Sequence, residues 1–173
     1  MKTYIVLLRG INVSGKNILP MQELRDLLSE LNFKNVQTYI QSGNIILNSS
    51  ETKQRVLKKI KGGIAVKFGY DVSVLVRTIS EWENAIVKNP YPKEDTKLLS
   101  FTFLNAVPEI TTFEVNGVND DEFVIIGDVL YIYCLEGFGR TKLTLNLFER
   151  KLKVTGTSRN WKTTLKLLKL AKA

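Results

Sequence analysis

The chain has 173 residues, 44% of them hydrophobic, which is enough material to bury a core in one domain or in two small ones. Its single cysteine, Cys134, cannot form an internal disulfide and alternates with apolar residues as a buried thiol would, and the absence of histidine excludes imidazole bases, catalytic triads and histidine-ligated metals. The net charge of +8 favours an acidic partner.

The first 78 residues alternate between strand and helix signals. The opening apolar run, Tyr4 to Leu8, is too short for a signal peptide or a membrane span, so we expect a cytoplasmic protein without membrane contact. Gly62 and Gly63 are expected to loosen or kink the second helix, because glycine is a poor helix former. The predicted elements are strands at 3–9, 35–40, 45–48 and 71–77, and helices from Pro20 and from about residue 51.

This order, β-α-β-β-α-β, is the split βαβ arrangement of ferredoxin-like folds, and it repeats along the chain. A capping box at Ser80 to Glu83 predicts a connecting helix, and Tyr91 and Pro92 begin a linker. The second half has predicted strands at 98–104, 122–126, 129–135 and 154–157, a short helix after Pro108, and helices at 142–152 and 160–170.

We therefore predict an α+β protein built from tandem ferredoxin-like (β-α-β-β-α-β) halves with antiparallel sheets. The predicted divisions are a first half at 1–78, a connecting helix and linker at 79–97, and a second half with a basic C-terminal helix at 98–173.

The loop Gly10–Asn17 falls one residue short of the phosphate-binding pattern G-x-x-x-x-G-K-[ST]. Asn17 occupies the position of the hydroxyl that binds magnesium in that pattern. Pro20 also places the helix start several residues after Lys16, whereas a phosphate loop holds its lysine in the first helical turn. These two features argue against a nucleotide-hydrolysing loop.

In a split βαβ unit, the first strand ends at the same sheet edge as the turn between the second and third strands, so we expect Gly10–Asn17 and Gln41–Asn44 to converge. Together they would form a concavity rich in hydrogen-bond donors and suited to an anion. The alternative is that the asparagine and serine residues are turn formers that bond to their own backbone. The residues concerned are Arg9, Asn12, Lys16, Asn17, Gln41, Ser42 and Asn44.

Charge and aromatic residues are separated along the chain. Positive charge is concentrated in 1–78 and 140–173, whereas 98–139 contains seven acidic residues and no lysine or arginine. RNA recognition by a ferredoxin-like sheet needs strand aromatics beside phosphate-binding cations. Since the aromatic strands lie in the acidic segment, we expect those aromatics to pack a core or an interface. The lysine stripe of the last helix is interpreted either as a solvated face or as a polyanion contact.

Five separated motifs, in one order over essentially the whole chain, resemble the bacterial domain-of-unknown-function family 1697. The resemblance implies two ferredoxin-like halves in tandem and carries no established activity. This chain has Ser14 where that family usually has glycine, and Thr141 and Lys162 where it often has serine and asparagine, so a contact that depends on the family's side chains at these positions is not expected here. The motifs span 8–17, 39–44, 76–78, 137–143 and 157–161.

By this resemblance, the recurrent polar and basic residues are the candidate anion-binding residues. For the last two of them, the alternative is that Asn160 or Ser158 caps the final helix while Trp161 anchors it. The candidates are Arg9, Asn12, Lys16, Asn17, Gln41, Ser42, Asn44, Arg140, Lys142, Arg159 and Asn160.

Our functional hypothesis is a module that binds an anionic ligand, namely a phosphate-bearing metabolite, a nucleotide or nucleic acid, at these basic, glycine-lined loops. One alternative is a histidine-independent enzyme acting on a small polar substrate, which would need a carboxylate or lysine of perturbed pKa nearby. Another is a structural or oligomerisation module. The sequence predicts no cofactor and no metal, and leaves catalytic residues and oligomeric state open.

Overall fold

A computed structural model describes residues 1–91, 96–135 and 137–173. The chain divides into two compact units, unit 1 comprising Met1–Glu83 with Leu167–Ala173 and unit 2 comprising Asn84–Lys166. Most of the linker predicted after Tyr91 lies outside the described residues. Within the described part of the chain, no helix is long and apolar enough to cross a membrane.

Unit 1 contains a four-stranded antiparallel sheet in the order β2-β3-β1-β4. The central strand β1 therefore has β3 on one side and β4 on the other, and it runs parallel to the edge strand β2. The elements are β1 (Lys2–Leu8), α1 (Met21–Glu30), β2 (Lys34–Tyr39), β3 (Asn44–Ser49), α2 (Lys53–Phe68) and β4 (Val74–Thr78), after which α3 (Ile79–Val87) follows directly.

The core of unit 1 joins alternate residues of its strands to the apolar stripes of its two helices. Tyr4 and Val6 of β1 belong to one buried cluster with Leu24 of α1 and with Ile60 and Ile64 of α2. Alternation along a strand and a three-to-four-residue spacing along a helix each direct one face to this core.

Gly63 permits the close packing of α2 against α1. An added Cβ at Gly63 would lie 2.9 Å from Leu31 Cδ1 and 3.3 Å from Leu27 Cδ1, whereas one at Gly62 would meet nothing within 4 Å. The helix is continuous through both glycines. Gly63 therefore serves the packing of α2 against α1.

The two neighbouring glycines should respond differently to alanine. We expect Gly62→Ala to raise the free energy of unfolding by about 0.5–1 kcal/mol, because alanine is the better helix former and the site is open. Gly63→Ala should gain less or lose stability, because its methyl group would press on Leu31. Urea denaturation of both variants checks this, and an equal gain at the two sites would contradict it.

Unit 2 contains a second four-stranded antiparallel sheet, in the order β6-β7-β5-β8. Its central strand β5 pairs with β7 and β8 as β1 pairs with β3 and β4. After a 3-10 turn at Thr96–Leu98, the elements are β5 (Leu99–Leu104), β6 (Glu122–Ile126), β7 (Val129–Tyr133), α4 (Leu145–Leu152), β8 (Gly156–Asn160) and α5 (Trp161–Lys172), of which the residues from Leu167 onward belong to unit 1.

The prediction of a short helix after Pro108 is wrong, so unit 2 departs from the predicted β-α-β-β-α-β order. Residues 105–121, all within the described chain, form a loop between β5 and β6. Phe113 of this loop packs against Phe123 of β6 and Phe148 of α4, with ring centroids 5.1 and 5.8 Å away. Large rings fill the space where a helix would otherwise contribute apolar side chains.

Each sheet carries a largely buried arginine at the corresponding position of its fourth strand. Arg77 of β4 is paired with Ile5 of β1, and Arg159 of β8 is paired with Phe101 of β5. In both units the next residue caps the helix that follows. The two units therefore share this arginine as well as the order of the strands in their sheets.

The capping box of α3 lies two residues earlier than predicted. Thr78 Oγ1 accepts a hydrogen bond from Glu81 N at 3.2 Å, and Glu81 Oε2 accepts one from Thr78 N at 2.8 Å. Ser80 is not the cap, because it already lies inside the helix. Glu81 also forms an ion pair with Lys53. Burial alone would raise the pKa of Glu81, but Lys53 and Thr78 together hold it below its usual value.

This box predicts a pH-dependent contribution to stability. A carboxyl group whose pKa is lower in the folded state stabilises the fold above its unfolded pKa, and that contribution is lost as the pH falls through the folded pKa. Wild type should therefore lose its advantage over Glu81→Gln as acid is added. Urea denaturation of both proteins between neutral and acidic pH measures this, and a difference that stays constant or widens would contradict it.

Candidate functional site

The loop after β1 and the turn between β2 and β3 lie together at one edge of the sheet of unit 1. Leu8 N donates to Gly43 O at 2.7 Å, and Asn12 Nδ2 donates to Gln41 O at 2.9 Å. The predicted convergence of the two loops is confirmed by these bonds. Its cause is the parallel course of β1 and β2 on either side of β3.

The glycine-lysine loop is a small hairpin. Val13 and Lys16 form an isolated antiparallel bridge, and Lys16 N donates to Val13 O at 2.9 Å. Ser14 and Gly15 between them have φ values of 50° and 74°. Two consecutive positive φ values are the signature of a tight type I′ hairpin turn. Lys16 is thus held on a hairpin, before α1 begins at Met21, and the geometry of a phosphate loop is absent.

Asn12 ties this edge of the sheet together. Its amide nitrogen donates to Leu19 O at 3.0 Å as well as to Gln41 O at 2.9 Å, and its Oδ1 accepts from Leu19 N at 2.8 Å. Its φ of 53° is one that asparagine adopts more readily than most side chains. One amide therefore joins the first loop, the approach to α1 and the second turn.

Two further candidate asparagines also bond to backbone or to a neighbouring side chain. Asn17 Nδ2 donates to Gly10 O at 2.9 Å. Asn44 is fully buried, and its amide donates to Tyr39 O at 3.1 Å and to Ser42 Oγ at 2.9 Å. Together with Asn12, these residues hold the loops in shape, so the turn-forming alternative applies to them.

Two features of the second turn are constrained by the backbone. An added Cβ at Gly43 would lie 2.6 Å from Leu8 Cβ, and its φ is +76°, so only glycine fits. Ile40 has a φ of 51° although its side chain is β-branched and 53% exposed. A non-glycine residue in this region costs on the order of 1–3 kcal/mol. Sequence patterns gave no signal for the strain at Ile40.

The candidate side chains left at this edge are mainly basic. Lys16 is exposed, and its Nζ has no ion-pair or hydrogen-bond partner among residues 1–91, 96–135 and 137–173. Arg9 is half-buried, with its backbone N donating to Ser73 O at 3.1 Å. Gln41 and Ser42 are exposed. The structure thus presents a positive edge, while the asparagines behind it serve as its scaffold.

We expect Asn12→Gly to destabilise the protein by about 1–3 kcal/mol, because glycine accepts the positive φ but makes none of the three hydrogen bonds. Asn12→Asp keeps the acceptor for Leu19 N but turns both donations into repulsion between oxygens, so it should cost at least as much. Urea denaturation provides the measurement. If Asn12→Asp is as stable as wild type, the amide donations are not what joins the loops.

Unit 2 places Lys142 in a polar cavity of about 430 Å³ beside the start of α4. Asn146 and Arg150 lie four residues apart on α4 and so share one helix face, whereas Lys142 lies in the chain just before that helix. Glu149 of the same helix is engaged elsewhere, since its Oε1 accepts from Gly156 N at 2.8 Å. In the described chain, the charged groups of Lys142 and Arg150 have no ion-pair or hydrogen-bond partner. The cavity is lined by Thr141, Lys142, Thr144, Asn146, Leu147 and Arg150.

Arg150 was missed by the sequence analysis, because it lies outside the motifs that carried the family resemblance. Arg140, a predicted candidate, is exposed in the preceding turn and is not among the lining residues. The sequence analysis thus identified the segment but only one of its two cavity cations.

Arg159 and Asn160 have structural contacts. Burial lowers the pKa of Arg159 to about 10, and its Nη1 donates to Ser158 O at 2.8 Å. Asn160 Oδ1 accepts from Thr163 N at 2.8 Å, so Asn160 caps α5. The structure thus shows the helix cap for Asn160, and Arg159 takes no part in that cap.

The remaining chemistry of the described residues is limited. Cys134 is buried, and burial raises the pKa of its thiol, so the reactive thiolate is disfavoured. No group of three or more histidine, cysteine, aspartate or glutamate residues in the described chain could hold a metal ion.

The fold and the sites thus define the class of protein. It is an α+β protein with two four-stranded antiparallel sheets and with basic loop residues that no neighbouring acid in the described chain compensates. The chain matches the model of the family described as Protein of unknown function (DUF1697) over residues 1–131, and it belongs to that family. Conserved bacterial protein SP0830 from Streptococcus pneumoniae has a similar solved structure, with a TM-score of 0.75 and 25% identity over 98% of each chain. No curated protein matches.

Proposed function

We propose that the protein binds a small anionic, phosphate-bearing ligand, and that Lys142 and Arg150 hold it. The observation that carries this proposal is the cavity of about 430 Å³ whose described lining residues include two cations and no carboxylate. An anion entering this cavity would gain charge-assisted hydrogen bonds without competing with a fixed carboxylate.

The lining groups offer complementary contacts to a phosphate. Arg150 presents a planar fork that can bind two oxygens at once, and Lys142 adds a mobile point charge. Thr144 Oγ1 accepts from Leu147 N at 3.3 Å as the cap of α4, which leaves its own O–H available to donate. Asn146 contributes an exposed amide on the same helix face.

A small ligand is favoured over nucleic acid because the aromatics of the second sheet are occupied. Phe101 and Tyr131 are fully buried, and their ring centroids lie 5.1 Å apart in an edge-to-face contact. Single-stranded nucleic acid binding relies on exposed aromatics that stack on bases. The cavity therefore supports a phosphate-bearing metabolite or a mononucleotide.

The topology supports a further proposal about ancestry, namely that each unit is a ferredoxin-like half of a tandem duplication. The sheet orders β2-β3-β1-β4 and β6-β7-β5-β8 place equivalent strands in equivalent positions. Arg77 and Arg159 occupy the same register beside the central strand of each sheet. On this view, residues 105–121 stand in place of the first helix of the second half.

Adjacent residues of α4 allow a matched test of the anion proposal. Arg150 and Lys151 are both exposed, but only Arg150 lines the cavity, so Arg150→Gln and Lys151→Gln remove equal charge from the same helix. We expect Arg150→Gln to weaken binding of inorganic pyrophosphate by roughly tenfold, as for loss of one charge-assisted contact, and Lys151→Gln to leave it nearly unchanged. Isothermal titration calorimetry at low salt gives the affinities.

Equal losses in the two variants would reduce the effect to net charge and overturn the assigned site. Lys16→Ala provides a further arm, because Lys16 is the uncompensated cation at the edge of unit 1. Loss of affinity in Lys16→Ala alone would move the site to the loops around Asn12. Absence of binding to wild type for pyrophosphate and for mononucleotides would reject the proposal.

A further inference from the structure

A second cavity of unit 2, with a volume of about 520 Å³, has a different character from the first. It lies at the start of α5, and its lining combines two apolar side chains with two lysines. The lining residues are Lys97, Asn160, Trp161, Lys162 and Leu165. Its volume falls within the range of small-molecule sites, and it has no lining residue in common with the cavity of Lys142.

The apolar part of this cavity is held in a fixed position. The Trp161 ring stacks on the fully buried Phe101 ring, with centroids 5.5 Å apart and planes inclined by 27°. Only 8% of Trp161 is exposed, while Leu165, one helical turn further, is 39% exposed. An exposed leucine beside the accessible edge of an indole offers apolar surface that a ligand can cover.

The polar part of the cavity is positive. Lys97 and Lys162 are both exposed, and within the described residues neither has a hydrogen-bond or ion-pair partner. Asn160 uses its Oδ1 to cap α5, which leaves its amide nitrogen able to donate. Donors and positive charge therefore border an apolar surface, and the described residues that line it include no carboxylate.

We propose that this cavity binds a small aromatic acid, with its ring against Trp161 and Leu165 and its carboxylate directed to Lys97 and Lys162. Burial of the ring supplies the non-directional part of the affinity, and the lysines select for the negative charge. The proposal goes beyond the phosphate site, because the two cavities have different lining residues and call for different ligands.

The two tryptophans of the chain make the test specific. Trp82 is fully buried outside this cavity, so a proton–nitrogen correlation spectrum contains one indole signal from the site and one internal control. Trp161→Phe identifies the signals. Titration with 2-naphthoate to millimolar concentration should shift the Trp161 signal and leave the Trp82 signal in place. The neutral analogue 2-naphthamide should bind at least about fivefold more weakly, because it cannot pair with the lysines.

Variants at exposed positions complete the test. Lys97→Gln with Lys162→Gln should weaken 2-naphthoate binding by at least about fivefold and leave 2-naphthamide binding unchanged. Lys169→Gln, also exposed on α5 but outside the lining, should bind 2-naphthoate as wild type does. An unshifted Trp161 signal, or equal binding of the acid and the amide, would overturn the proposal. Pyrophosphate affinity should be unchanged in Lys97→Gln with Lys162→Gln, because its proposed site has other lining residues.

Discussion

The pairing of each central strand with the third and fourth strands of its unit is the constraint on which the rest depends. With β1 between β3 and β4, the end of β1 meets the β2-β3 turn, and Asn12 can reach Gln41 across 29 residues of sequence. With β5 between β7 and β8, Arg159 lies beside Phe101, and Trp161 follows to stack on that ring. Both candidate regions are therefore consequences of strand order.

A second theme is that several acidic side chains are committed to structure. Glu81 closes the cap of α3, Glu149 accepts from the backbone of Gly156, and Glu51 pairs with Lys59 at 2.7 Å. Cations such as Lys142 and Lys162 consequently face solvent without compensation in the described chain. The net charge of +8 is thus present as local positive surfaces.

The sequence predicted the strands, the hairpins and the meeting of the two loops, because these follow from alternation and from short connections. It did not predict that Asn12 would join the two loops, since that depends on Gln41, a partner brought close only by folding. The capping box shifted to Thr78 because the chain continues from β4 into α3 without a loop. The predicted helix after Pro108 is absent because Phe113 packs into the core from an irregular backbone. Arg150 was not predicted because it lies outside the glycine-flanked motifs.

The loop at residues 105–121 also has a consequence for how the chain folds. In unit 1, α1 and α2 can begin to form from neighbouring residues, and α1 lies close in sequence to both β1 and β2. In unit 2, the loop contributes no helix, and its Phe113 meets Phe148 only after a stretch of 35 residues has closed on itself. A region rich in distant contacts gains structure more slowly than one rich in local contacts. The exchange of a helix for three aromatic rings thus preserves the core, and we expect residues 105–121 to become ordered only once β6 and α4 are in place.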